Sequence, residues 1–356
     1  MTLIKGKIAL LGLGACGSNI ALLFQKRGYT TWFLNGSNQD LRALGNATNI
    51  LHLKGFDGCA GDRDMAVRAL AENLDVLEEI RKIKEEIIYL VFSTAGSTGS
   101  GLAGVLCDVL TEMKETEGFD KTICCIAVLP RKEEALQKQI NAYNCIKELA
   151  EKTEIGSCIL VDNSKENSLE KINQILVNQL HAFFCDQSYS SKGNLDIAER
   201  LKMIKEPGMC LVSVMNNEQL SASEYIERLL VKNIYAPIER DGIIEGIAVV
   251  NADGNNVDTE AIIRETGIPQ NVFLGFNGKK TITVLSGLSF PISFLSKIRE
   301  EAEKIWGDRM QTRSKINGQL KEFDFVNGGM SVVQEKPMKK RLNRLDTLRG
   351  LRKEAN

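Results

Sequence analysis

No stretch of this 356-residue chain approaches the run of about 20 uncharged apolar residues that a spanning helix requires. Met1-Thr2-Leu3-Ile4-Lys5-Gly6-Lys7 leads into a strand pattern, not into the apolar core of a signal peptide. The expectation is a cytosolic protein without a membrane span. Histidine is nearly absent: His52 and His181 lie far apart and neither has HExxH context, which argues against a histidine-based metal centre or catalytic triad. The nine cysteines contain no CxxC pair, and the adjacent Cys124-Cys125 sit in an apolar run. They read as reduced, mostly buried thiols and not as a disulfide framework or zinc site.

What is present is ordinary in bulk: 43% hydrophobic and 26% charged residues describe a globular protein, and the length suits two domains. Net charge is −1, but residues 336–356 hold eight Lys/Arg against two acids, about +6, which leaves roughly −7 on the rest. Apolar runs at Lys7–Leu11, Thr31–Leu34, Ile87–Phe92, Thr122–Leu129 and Cys158–Val161 alternate with helical patterns. Near-continuous apolar strands separated by helices predict a doubly wound α/β fold, its parallel sheet covered on both faces. A long central helix is expected from about Ser168 to Asp186, followed by a polar loop from Ser188 to Asn194. Beyond it, strands near Met209–Val214, Ile243–Val250, Val272–Phe276 and Thr281–Leu285 and helices near Ala222–Val231 and Asp258–Glu265 suggest a smaller α+β domain. A final helix is read from Ile292 to Ile305. The expected division is 1–187, 188–310 and a C-terminal extension with a basic tail, 311–356.

Two glycine-rich loops each follow an apolar strand and open a helix. Gly12-Leu13-Gly14-Ala15-Cys16-Gly17 has the GxGxxG spacing that lets backbone approach a pyrophosphate at a helix N-terminus. A dinucleotide site would also want an acid at the end of the second strand, but Leu34 is followed by Asn35-Gly36-Ser37, which counts against the alternative of an NAD-dependent oxidoreductase using Gly12–Gly17. Ala95-Gly96-Ser97-Thr98-Gly99-Ser100-Gly101 precedes a helix read as Leu102–Met113 and lacks the Gly-Lys-Ser/Thr ending of a P-loop. Two helix N-termini aimed at one ligand suit a triphosphate, with N–H groups and the hydroxyls of Ser97, Thr98 and Ser100 solvating its oxygens.

The run Ala95–Gly101 resembles the signature of the tubulin/FtsZ superfamily, with Ser97 at the second glycine of Gly-Gly-Thr-Gly-Ser/Ala-Gly. Gly12 to Asn19 is similar to that family's first phosphate loop, with Ala15, Cys16 and Ser18 where FtsZ proteins usually carry glycine. The resemblance implies GTP or GDP with Mg2+ as the ligand, and a role for Asn35 and Gly36 in the turn after the second strand. It also implies that Gly58-Cys59-Ala60-Gly61-Asp62 closes over the γ-phosphate and metal, that Glu134 and Lys138 contact the nucleotide, and that Asn163 and Asn173 meet the guanine. No protein ligand for Mg2+ is assigned.

Asn194-Leu195-Asp196-Ile197-Ala198-Glu199 resembles the FtsZ sequence Asn-Leu-Asp-Phe-Ala-Asp, which implies that Asn194, Asp196 and Glu199 complete the site of an adjacent subunit in a head-to-tail filament. Helix capping is the structural alternative for this acidic pair. In the tail, Met338, Leu342, Leu345, Leu348 and Leu351 recur at helical spacing among Lys339, Lys340, Arg341, Arg344, Arg349 and Arg352. The short linker and basic tail look more like the TubZ branch, the plasmid- or phage-borne tubulins of DNA partition, than like cell-division FtsZ. That likeness implies a partner of the DNA-binding TubR type. An FtsZ-type division protein and direct DNA binding by the tail are the alternatives.

Overall fold

All six residues of the first strand, β1 (Ile8–Leu13), are buried, so the strand has to lie inside a sheet with helices on both faces. The computed structural model, which describes residues 4–319 with side chains through Arg313, places it there. The chain continues through α1 (Gly14–Gln25), β2 (Thr30–Asn35), α2 (Asn38–Ala43), β3 (Ile50–His52), α3 (Arg63–Glu72) and α4 (Asp75–Ile80). Next come β4 (Ile87–Ser93), α5 (Ser97–Glu117), β5 (Thr122–Leu129), α6 (Leu136–Ala150) and β6 (Ser157–Asp162). The central helix α7 (Leu169–Cys185) leads to α8 (Ile197–Lys205), β7 (Gly208–Met215), α9 (Ala222–Leu230) and β8 (Gly246–Ala252). The last elements are α10 (Thr259–Thr266), β9 (Asn271–Gly278), β10 (Thr281–Leu288) and α11 (Ile292–Gln319).

The strands form one sheet in the order β3-β2-β1-β4-β5-β6-β7-β10-β8-β9. It is parallel from β3 to β7, and β10 runs antiparallel to both of its neighbours. The smaller α+β region expected from sequence therefore shares a continuous sheet with the first half. The seam is short: β6 and β7 pair only at Ser157–Gly208 and Cys158–Met209. Further along, the edge of β6 is taken by residues 234–236, whose backbone bonds to Asp162 and Leu160.

Between β1 and β4 the strand order reverses, and at such a switch point the loops leaving the two strands diverge to leave a crevice at their carboxyl ends. Those two loops are the glycine-rich ones. α7 starts at the same carboxyl edge, capped by Ser168, and its 17 residues carry the chain about 25 Å to the opposite edge. There Phe184 packs with Tyr29, Tyr89 and its neighbour Phe183.

Several boundaries differ from the sequence reading. The helix read as Leu102–Met113 begins at Ser97, because the second loop is itself the first turn of α5. The final helix runs on to Gln319, across residue 310. β8 starts at Gly246, three residues later than expected. Strand β3 was not anticipated: it has three residues, one of them buried, too few to show a period. Among the described residues no helix is long and apolar enough to cross a membrane.

Candidate functional site

Neither α1 nor α5 is capped by a side chain: Leu13 and Gly96 stand at the two cap positions. The first-turn N–H groups of both helices are left without intrahelical partners and point into the crevice, which suits an anion. The two turns touch, since a Cβ on Gly14 would lie 3.4 Å from Gly99 N and from Thr98 Cβ. Gly14 takes φ +68°, which lets β1 turn directly into α1. Ser97 keeps a negative φ, so the departure from glycine costs no backbone strain. At Gly96 the space is open, with nothing within 4 Å of a Cβ. Ala15 and Asn19 are exposed on the first turns of α1.

Ser100 departs from the sequence expectation. It is fully buried and its hydroxyl donates to the Gly96 carbonyl one turn back, so it holds the turn, while the Thr98 hydroxyl donates to Cys59 Sγ at 3.8 Å. Cys16 is a neutral thiol, pushed up to about 12 by burial and then by the charge of Glu134.

The loop Gly58–Asp62 folds over this crevice through left-handed conformations at Gly58, Ala60 and Gly61. Asp62 then caps α3, accepting from the N–H groups of Asp64 and Met65 through one oxygen. Two side chains not anticipated from sequence bind this loop to the second glycine loop. Asn141, buried on α6, donates to the carbonyls of Gly61 (3.1 Å) and Ala95 (3.3 Å) and accepts from Gln137. Arg63 donates to the Ser100 carbonyl at 2.8 Å and pairs with Glu148 of α6. The legible trace of Asn141 is an amide on the apolar stripe Ala142, Cys145, Ile146, Leu149. Asn141→Asp is nearly isosteric but faces two carbonyls with a carboxylate, and should lower stability by about 2 kcal/mol or more. Denaturant titration reads this directly, and a midpoint equal to wild type would refute the clamp.

On the far side of the crevice, Glu134 accepts from the Arg131 N–H (2.9 Å) and from Lys138 (2.7 Å). Burial pushes its pKa up, but these hydrogen bonds and the two cations outweigh burial and hold the carboxyl below its ordinary value. Lys138 is thus tied to Glu134 as an ion pair. Arg131, also missed from sequence, donates to the carbonyls of Asn163, Glu166 and Asn167 and shapes the loop after β6. Asn163 follows β6 with its Oδ1 buried and without a hydrogen-bond partner among the described residues. Asn173 is half-buried on the first turns of α7. Asn35 is buried, its amide spent on Asp40 and its carbonyl on the Ser37 N–H, while Gly36 packs closely against the Phe56 carbonyl. These two shape the turn beside the crevice from within.

The acidic segment lies elsewhere. Asp196 caps α8 and forms a reciprocal box with Glu199: Glu199 N donates to Asp196 Oδ1 at 2.8 Å and Asp196 N to Glu199 Oε2 at 2.9 Å. Asp196 is exposed and Glu199 half-buried, and each spends one carboxylate oxygen on the box. Asn194 turns back onto Ser190, accepting from its N–H and donating to its carbonyl. A cavity of about 390 Å³ touches both Asp196 and Ile4, the latter just ahead of β1, so the acids stand at the amino edge of the sheet. The structure brings the phosphate loops together and leaves the acidic pair at the other end of α7.

Residues 7–171 match the family model described as "Tubulin/FtsZ family, GTPase domain". The chain carries a tubulin/FtsZ GTPase domain. A tubulin-like protein TubZ of Clostridium botulinum C phage is 26% identical over 328 residues, covering 89% of each chain. The solved structure of Clostridium botulinum phage c-st TubZ, truncated at its C-terminal tail, superposes with a TM-score of 0.74 at 25% identity, covering 87% of this chain and 99% of that one. A GTPγS-form protofilament of Bacillus thuringiensis serovar israelensis TubZ shares the fold, with a TM-score of 0.73 at 14% identity over 87% of this chain and 95% of that one. This chain is accordingly a GTPase that takes GTP and GDP, and the dinucleotide-oxidoreductase alternative falls away.

Proposed function

We propose that this chain is a filament-forming GTPase whose nucleotide site is completed by the next subunit, and whose filaments move plasmid or phage DNA through a DNA-bound adaptor of the TubR type. The observation that carries the first part is the separation of parts. A carboxylate pair at the amino edge of the sheet lies about 25 Å, the length of α7, from the phosphate loops of its own chain. It reaches a γ-phosphate only in a second copy stacked head to tail. There Asp196 and Glu199, each with an oxygen not used in the box, orient the attacking water, and the N–H groups of α1 and α5 receive the developing charge. The protofilament structure of a TubZ protein supports such stacking.

Guanine recognition is supported by Asn163, whose buried, unpartnered Oδ1 is an acceptor for the ring N–H and amino group of that base. Asn173 on α7 is assigned to the opposite edge. Among the described residues no three His, Cys, Asp or Glu side chains could hold a metal ion together. The donor set fits Mg2+ carried on phosphate oxygens and water with at most the second oxygen of Asp62, where the ion would neutralise phosphate charge. The adaptor role rests on likeness to TubZ and on the basic residues Lys339, Lys340, Arg341, Arg344, Arg349 and Arg352, which lie outside the described residues.

The test is phosphate release as a function of protein concentration. Hydrolysis per subunit should rise steeply above the concentration at which GTP first makes the protein sediment. A rate per subunit that is constant from high dilution upward would overturn completion in trans. In the same pelleting assay the full chain should carry a DNA-bound adaptor into the pellet and a chain ending at Glu335 should not; equal recovery by both removes the tail from the mechanism.

A further inference from the structure

We propose that Arg200 is a positioning residue, whose guanidinium staples both ends of the acidic loop to the carboxyl end of α7 and thereby fixes where Asp196 and Glu199 stand. This rests on the reading of that pair as completing a neighbour's site. Arg200 is only 5% exposed, and a buried guanidinium has to be met by good acceptors. All three of its acceptors are backbone carbonyls: Nε donates to Leu195 O at 3.3 Å, Nη2 to Asp186 O at 2.8 Å, and Nη1 to Phe183 O. Leu195 immediately precedes the cap Asp196, whereas Phe183 and Asp186 close α7. The nine residues between Asp186 and Asp196 are thus pinned at both ends by one side chain.

The location explains how the charge is tolerated without a buried acid. The last carbonyls of a helix have no partner within it, and its carboxyl end carries partial negative charge. α7 presents that end to Arg200, with the Phe183 ring 5.7 Å from the guanidinium carbon. Arg200 also sits one turn into α8, and its N–H closes onto the Asp196 carbonyl at 3.1 Å. Holding Arg200 against α7 therefore holds the first turn of α8, which is the turn that carries the capping box. β9 steadies the middle of the loop, through Phe276 N–H to the Gly193 carbonyl and Asn277 to the Tyr189 carbonyl. A flat fork with divergent N–H groups spans three carbonyls; a lysine ammonium at the same site is a single point on a flexible stem.

Arg200→Met and Arg200→Lys test this beside Asp196→Ala, with phosphate release normalised to pelleted subunits, affinity for GDP, and sedimentation with a slowly hydrolysed GTP analogue. The expected result is a fall of about tenfold or more for Met and a smaller fall for Lys, since displacing a reacting group by about 1 Å costs up to a hundredfold. GDP affinity and analogue-driven sedimentation should stay within about twofold of wild type, which a loss of general stability would not allow. If the Met variant fails to fold, the Lys variant decides: a wild-type rate per pelleted subunit refutes the staple. Inactive Asp196→Ala with fully active Arg200 variants overturns this inference alone. Active Asp196→Ala overturns the trans reading and this inference together.

Discussion

Asp196→Ala is expected to cut phosphate release from pelleted subunits by about a hundredfold or more, with GDP affinity unchanged within about twofold. The proposed nucleotide crevice lies between α1, α5, α6 and the loop after β6, and among the described residues Asp196 hydrogen-bonds only to Glu199 and Arg200, so binding should survive. The alanine also removes an N-cap, which costs about 1 kcal/mol by itself, and this has to be separated from chemistry. Asp196→Asn separates them. Asparagine caps a helix as well as aspartate but carries no negative charge, so it should restore the melting temperature and not the hydrolysis. Full hydrolysis by the asparagine variant would reduce Asp196 to a cap.

Gly17→Ala is expected to destabilise the chain by about 3 kcal/mol or more, read as a shift in the midpoint of denaturant unfolding. A Cβ on Gly17 would stand 1.9 Å from the Val91 carbonyl oxygen and 2.8 Å from its carbon. Those are backbone atoms of β4, paired on both sides by β1 and β5, and cannot move aside cheaply. Gly96→Ala is the matched control. Its φ is −74° and nothing lies within 4 Å, so stability should stay within about 0.5 kcal/mol of wild type. Equal stability of the two variants would refute this account of Gly17.

The contrast between these glycines marks what a sequence can disclose. Gly12-Leu13-Gly14-Ala15-Cys16-Gly17 is legible as a phosphate loop from its spacing, yet its last glycine serves α1–β4 packing, a distance between elements that no local pattern encodes. Buried parallel strands were legible because every residue from Ile8 to Leu13 is apolar. The start of α5 was not, since Gly and Ser have weak helix propensity and the turn forms through tertiary contact with α1. Asp196 and Glu199 were visible as an i, i+3 pair, but the pattern is the same for a cap and for a catalytic pair, and the structure adds that the cap is made. Arg131, Asn141 and Arg200 escaped notice for a common reason. Each donates to backbone carbonyls, at least one of them in a segment distant in sequence from the donor, and a carbonyl carries no sequence identity.

The placement of crevice and acids at opposite ends of α7 has an arithmetic consequence for an assembly built by stacking. Every junction matches one crevice with one acidic loop, so a stack always holds one more nucleotide than it has completed sites. The surplus nucleotide sits at the end whose crevice faces solvent, and there hydrolysis waits for the next arrival. Under the proposed completion in trans, such a polymer has unlike ends and a built-in clock: a subunit added at that end would keep its triphosphate until the next arrives, and each buried junction would come to hold a diphosphate.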